Sequence, residues 1–125
     1  MKAISTTKAP GAIGPYSQAI RAGEFVYTSG QLGLDPRTVA FPEGGIKEQT
    51  WQSLTNVKAI LEEAGLSMEN VVKTTVFMAD MSDFAEMNNV YAEFFKEPYP
   101  ARSAVAVKTL PKNALVEIEV VGVKN

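Results

Sequence analysis

Apolar and polar positions change rhythm twice along this chain. The first 45 residues hold short runs broken by Gly and Pro, and Ala3–Thr6, Tyr16–Ala22 and Phe25–Ser29 read as strands. Pro10-Gly11, Gly14-Pro15, Asp35-Pro36 and Pro42-Glu43-Gly44-Gly45 mark turns or loops. Ala22-Gly23-Glu24 is a tight turn between the second and third strands. Leu54, Val57, Leu61 and Ala64, with Ile60 beside them, then fall at helical spacing and predict a helix over 46–64. Gly65 stands where a left-handed C-cap would, with Leu66 as its apolar partner. Val71–Met78 is rich in β-branched residues and reads as a strand. Ser82 is placed to cap a second helix carrying Phe84, Met87, Val90, Tyr91, Phe94 and Phe95, which Pro98 and Pro100 prevent from continuing. Ala101–Lys108 and Leu115–Val123 close the chain as strands. The predicted order is βββαβαββ: one domain over 1–125, an α+β layer with about six strands in a mixed or antiparallel sheet and both helices on one face.

Side-chain alternation in the last two strands puts Val116, Ile118 and Val120 on one face and Leu115, Glu117, Glu119 and Val121 on the other. In the strand before, Arg102, Ala104, Ala106 and Lys108 alternate with Ser103, Val105 and Val107. Pairing the two strands as an antiparallel hairpin, apolar face to apolar face, brings Arg102 and the glutamates to the side away from the helices. Arg102 and Glu117 then stand ~13 Å apart along the ladder, at ~3.4 Å per residue. That is too far for one small molecule. A different register, or a neighbouring subunit supplying one of the groups, would close the gap. The same face carries Leu115, Val121, Ala104 and Ala106, too apolar for water and too charged for a core, so an oligomer interface with a polar cleft is expected.

Composition narrows the chemistry. There are no Cys and no His, which removes thiolate nucleophiles, disulfides, imidazole bases and every His- or Cys-liganded metal site. Asp, Glu, Lys, Tyr and the backbone remain for acid–base work, and a carboxylate site for a hard cation remains allowed. Net charge is −2 with Lys and Arg scattered, which argues against strong nucleic-acid binding. The first residues form no secretory signal and no run approaches a membrane span, so the cytoplasm is the default expectation. Plainer readings stand beside the functional ones. Arg102 could pair with a structural carboxylate, Glu117 and Glu119 could face solvent, and Tyr16 could cap the core. Trp51 and the aromatic stripe of the second helix read as core or interface. Ser29-Gly30-Gln31-Leu32-Gly33 leads into no helix and makes a weak dinucleotide motif. Asp80 and Asp83 fit the start of the second helix better than a metal site.

Pro100–Leu110 followed by Val116-Glu117-Ile118 resembles the signature of the RidA/YjgF/UK114 family. Ala12–Ala19, Thr28-Ser29-Gly30-Gln31, Gln52–Leu61 and Val72–Phe77 resemble other segments of that family in order. Asn88, Tyr91, Phe94 and Phe95 fall where its second helix carries such residues. The resemblance spans essentially the whole chain. It implies a chorismate-mutase-like fold and a homotrimer with clefts between subunits. It also implies hydrolysis, without a cofactor, of the enamine/imine intermediates 2-aminoacrylate and 2-aminocrotonate to 2-oxo acids and ammonia. Pyridoxal-phosphate enzymes acting on serine or threonine would supply those intermediates.

On that resemblance, Arg102 would hold the planar carboxylate of 2-iminopropanoate or 2-iminobutanoate through its rigid fork of donors. Glu117 would orient and polarise the attacking water. Tyr16, Ser29, Gly30 and Asn88 would line the cleft, with the Ala104 carbonyl holding the imine nitrogen or the water. Ala104 stands where Cys is frequent in the family, and a backbone role makes that change harmless. A non-catalytic ligand-binding or regulatory trimer is the alternative. An endoribonuclease or translation inhibitor is disfavoured by the charge and the missing His.

Overall fold

The structure is a computed structural model describing residues 1–125. Four strands come first: β1 (Lys2–Ile4), β2 (Ala19–Ala22), β3 (Phe25–Thr28) and β4 (Gln31–Leu32). Helix α1 (Ile46–Glu63), β5 (Val71–Met78), α2 (Phe84–Tyr91), β6 (Ala101–Ala106) and β7 (Val116–Val123) follow. All seven strands share one sheet, in the order β1-β2-β3-β7-β5-β6, with β4 paired to a further stretch of β7. The element types match the predicted order except that β4, two residues long, adds a strand too short to leave a pattern. Regular pairing in the second strand begins at Ala19, three residues after Tyr16. No helix is long and apolar enough to cross a membrane.

Helix α1 starts where the Glu48 carboxylate accepts the Gly45 N–H at 2.9 Å. It ends in a Schellman motif: Gly65, at φ +80°, donates to the Glu62 carbonyl and Leu66 donates to that of Leu61. The expected left-handed cap is therefore present, with Leu66 buried beside it. Before α2, the cap is Asp80 rather than Ser82: its Oδ1 accepts the Ser82 N–H at 2.8 Å and opens a short 3₁₀ turn, Met81–Asp83. The α-helix ends at Tyr91, and Phe95 packs back on it with ring centres 4.5 Å apart.

Both helices cover one side of the sheet. Leu54, Val57, Ile60 and Leu61 of α1 and Met87 and Tyr91 of α2 bury against Val26, Val76, Met78, Val116, Ile118 and Val120. The opposite side has no covering layer. There Phe25, Tyr27 and Val105 are exposed, alongside Glu119 and the half-buried Phe77, Glu117 and Val121.

Strand pairing corrects the hairpin expectation. Strand β6 pairs in parallel with β5, Thr74 opposite Arg102 and Val76 opposite Ala104. Strand β7 lies on the other side of β5, antiparallel, with Phe77 opposite Glu117 and Thr75 opposite Glu119. The last two strands are therefore not neighbours, because α2 serves as the crossover of a β–α–β unit and such crossovers join parallel strands.

Candidate active site

The sheet separates the expected site residues into two groups. Arg102 shares a face with buried Thr74, so its side chain rises on the helix side. Glu117 shares a face with half-buried Phe77, on the uncovered side. Within one chain the two do not converge. They lie two strand spacings apart (~10 Å) and three residues apart along β5 (~10 Å), or ~14 Å between backbones, on opposite faces. The expectation that both occupy the face away from the helices holds for Glu117 and fails for Arg102.

Around Arg102 every contact is neutral. Its Nη1 donates to Asn88 Oδ1 at 2.7 Å. Its guanidinium carbon lies 4.7 Å from the ring centre of Tyr91 and 5.4 Å from that of Phe84. The Tyr91 hydroxyl is 2.8 Å from Thr74 Oγ1. Burial raises the Tyr91 phenol above its ordinary range, against the Thr74 hydrogen bond and the Arg102 charge, so it stays protonated. The ion pairs of the molecule join Arg37 to Asp35 and Lys96 to Glu69, and neither involves Arg102. The plainer reading of Arg102 as half of a structural salt bridge is thus not what this chain contains. A half-buried guanidinium without a counter-ion presents donors for an anion. Ala104 follows two residues later on the same face, half-buried against the core.

Glu117 is built differently. Burial pushes its carboxyl above the usual carboxylate range, and the negative charge of Glu119 adds to the effect. Gly30 lies directly against it: a Cβ built on Gly30 would fall 2.8 Å from Glu117 Cδ. The preceding Ser29 is fixed at both ends. Its Oγ donates to the Ser17 carbonyl at 2.6 Å and its N–H donates to the Gln18 carbonyl at 2.8 Å. Tyr16 is half-exposed at 53% and does not cap the core, and its hydroxyl accepts the Ile13 N–H at 3.4 Å. Glu117, Gly30 and Ser29 thus stand on one stretch of the fold, and Arg102, Asn88 and Ala104 on another.

Several supporting residues escaped the sequence pattern. Buried Gln18 accepts the Thr6 N–H at 2.7 Å and reaches the carbonyls of Thr6, Ala9 and Pro10, which secures the segment leading to Tyr16. On α1, Ser53 donates to the Gln31 carbonyl and Asn56 to those of Leu32 and Leu34, which fixes β4 behind Gly30. The signal for the α1 pair was available: Ser53 and Asn56, with Gln49 and Thr50, are polar residues on the buried side of the helix beside the apolar stripe. Tyr91, part of the aromatic stripe that reads as core or interface, lies in the core and also faces Arg102.

The family model described as Endoribonuclease L-PSP matches residues 6–124. The chain belongs to this RidA/YjgF family. A RutC family protein of Pyrococcus horikoshii is 55% identical over 121 residues, covering 97% of this chain and 96% of its own length. The human 2-iminobutanoate/2-iminopropanoate deaminase is 48% identical over 123 residues, covering 98% and 90%. Among solved structures, RidA from the Antarctic bacterium Psychrobacter superposes with a TM-score of 0.95 at 50% identity, covering 99% of this chain and 100% of the other. The crystal structure of E. coli TdcF with bound serine also gives 0.95, at 47% identity and full coverage of both chains. Membership in the RidA family confirms the α+β architecture, one mixed sheet with two helices on it.

Proposed function

We propose that this chain hydrolyses small 2-imino acids, 2-iminopropanoate and 2-iminobutanoate, to 2-oxo acids and ammonia. The observation that carries the reading is Arg102: a half-buried guanidinium on a neutral cradle, with no carboxylate paired to it. That is a receptor for a planar anion. Relatives at about half identity that are named 2-iminobutanoate/2-iminopropanoate deaminase support the substrate class. So does the serine, a small α-carboxylate, named in the TdcF structure.

The working unit is a homotrimer, and its cleft joins the Arg102 group of one copy to the Glu117 group of the next. Two observations support this. The groups are apart within one chain, and the uncovered sheet face bears Phe25, Tyr27, Val105 and Val121, an apolar surface that needs a partner. In that cleft Arg102 takes the carboxylate, with Asn88 holding the fork. Tyr16, Ser29 and Gly30 form the opposite wall, and the Ala104 carbonyl accepts from the imine nitrogen. Glu117 takes a proton from water as the oxygen adds to the carbon of the protonated imine, which gives the neutral carbinolamine. Glu117 returns that proton to the nitrogen, and as the C–N bond breaks it takes the hydroxyl proton, so the oxygen becomes the ketone and the nitrogen leaves as ammonia. A carboxyl held above its ordinary range is better matched to giving that proton back. The imine is electrophilic on its own, so positioning plus about 10²–10⁴-fold of acid–base help suffices.

The test is 2-oxo acid formation from threonine with a pyridoxal-phosphate dehydratase, semicarbazide competing for the imine. Arg102→Ala is expected to abolish the acceleration while the assembly stays intact in analytical ultracentrifugation. Full activity in that variant refutes the carboxylate role. A monodisperse wild-type monomer at micromolar concentration refutes the shared cleft.

A further inference from the structure

The contacts around Arg102 close on themselves. Its guanidinium lies over the Tyr91 ring, the Tyr91 hydroxyl meets Thr74, and Thr74 is the neighbour of Arg102 across the β5–β6 ladder. Tyr91 cannot drift, because it is buried and packed on Phe95. A cation over a ring face is drawn to it, more strongly where water is excluded. Phe84 supplies a second ring, and Asn88 takes a single Nη1 proton. Beyond Asn88 only the Tyr91 hydroxyl bears on the guanidinium as a hydrogen-bond partner, and no carboxylate pairs with it, so donors of the fork remain available.

We propose that Tyr91 is a positioning residue: its ring fixes the plane of Arg102 so that the unused donors face the incoming carboxylate. It thereby sets substrate affinity without touching the substrate. This rests on the reading of Arg102 as the carboxylate clamp, and the experiment separates the two. A ring that only filled the core would lower stability on removal and leave KM alone.

Imine deamination is measured on the purified full-length chain. Tyr91→Leu is expected to raise KM about tenfold with kcat within about twofold, the pattern of lost uniform binding. Replacing both hydroxyls together, Tyr91→Phe with Thr74→Val, keeps the ring and leaves no orphan partner, so KM stays near wild type. In an Arg102→Lys background, Tyr91→Leu changes KM by less than about twofold, because an ammonium has no plane to orient. A wild-type KM for Tyr91→Leu overturns the proposal. So do effects of Tyr91→Leu and Arg102→Lys that multiply independently. A wild-type KM for Arg102→Lys alone overturns the clamp itself, a different failure. Should Tyr91→Leu not fold, the half-buried Phe84 carries the test: Phe84→Leu raises KM about threefold, and an unchanged KM overturns the proposal.

Discussion

Adding one methyl group at Gly30 separates the site from the scaffold that carries it. A Cβ there would fall 2.8 Å from Glu117 Cδ, 2.9 Å from Cγ and 3.1 Å from Oε2. Carbon atoms rest at ~3.5–4.0 Å, so the carboxylate must retreat by about 1 Å. The atoms in the way are the end of a flexible side chain, and Gly30 has no positive φ, so alanine fits its backbone. Folding then changes by less than about 1 kcal/mol, with reduced unfolded-state entropy offsetting part of the crowding. A misplacement of about 1 Å at a reacting group costs on the order of 10²-fold in rate. Gly33 is the control, because a Cβ there would fall 2.7 Å from the backbone Cα of Gln49, which cannot swing aside. Gly33→Ala is expected to cost about 3 kcal/mol. The assay is kcat/KM for imine deamination beside thermal denaturation of both variants. Two outcomes refute the reasoning: wild-type kcat/KM in Gly30→Ala, or a loss of activity matched by a drop in Tm as large as that of Gly33→Ala.

Two further expectations concern stability. Exposed Val39 sits at φ +57°, where a β-branched residue costs about 1–2 kcal/mol, so Val39→Gly is expected to gain about 0.5–1 kcal/mol net, read as a higher urea midpoint at unchanged m. Glu117 is held above its ordinary value of 4.5, so its stabilising contribution is full below that pH and is lost as pH rises through the raised value. Glu117→Gln is therefore expected to be more stable than wild type at pH 7, with the advantage fading towards pH 4. An advantage that does not change with pH contradicts that cause.

The helices were legible because their signals are local. Leu54, Val57 and Leu61 carry the period of α1, and Gly65 carries its end. Strand neighbours were not, because pairing is decided by chain that is distant in sequence. The short 3₁₀ connection, Pro111–Asn113, between β6 and β7 reads like a hairpin, yet β5 stands between them. The strand–helix–strand order from Val71 to Ala106 already implied a parallel pair, and that rule would have turned Arg102 towards the helices. The residues proposed to carry chemistry were readable from residue type together with the family resemblance: a guanidinium and a carboxylate in a chain without His or Cys. What holds them was not, since Tyr91, Gln18 and Asn56 act through contacts across 8 to 22 positions.

Gln18 shows how little regular structure a stiff wall requires. Its amide stands in for a missing rung, gripping main-chain groups at Thr6, Ala9 and Pro10 that no strand reaches. The stretch between β1 and β2 consequently acts as a solid part rather than a tether. Slow exchange of the Thr6 amide with solvent deuterium, and resistance of the Lys8 bond to trypsin, follow from that one side chain.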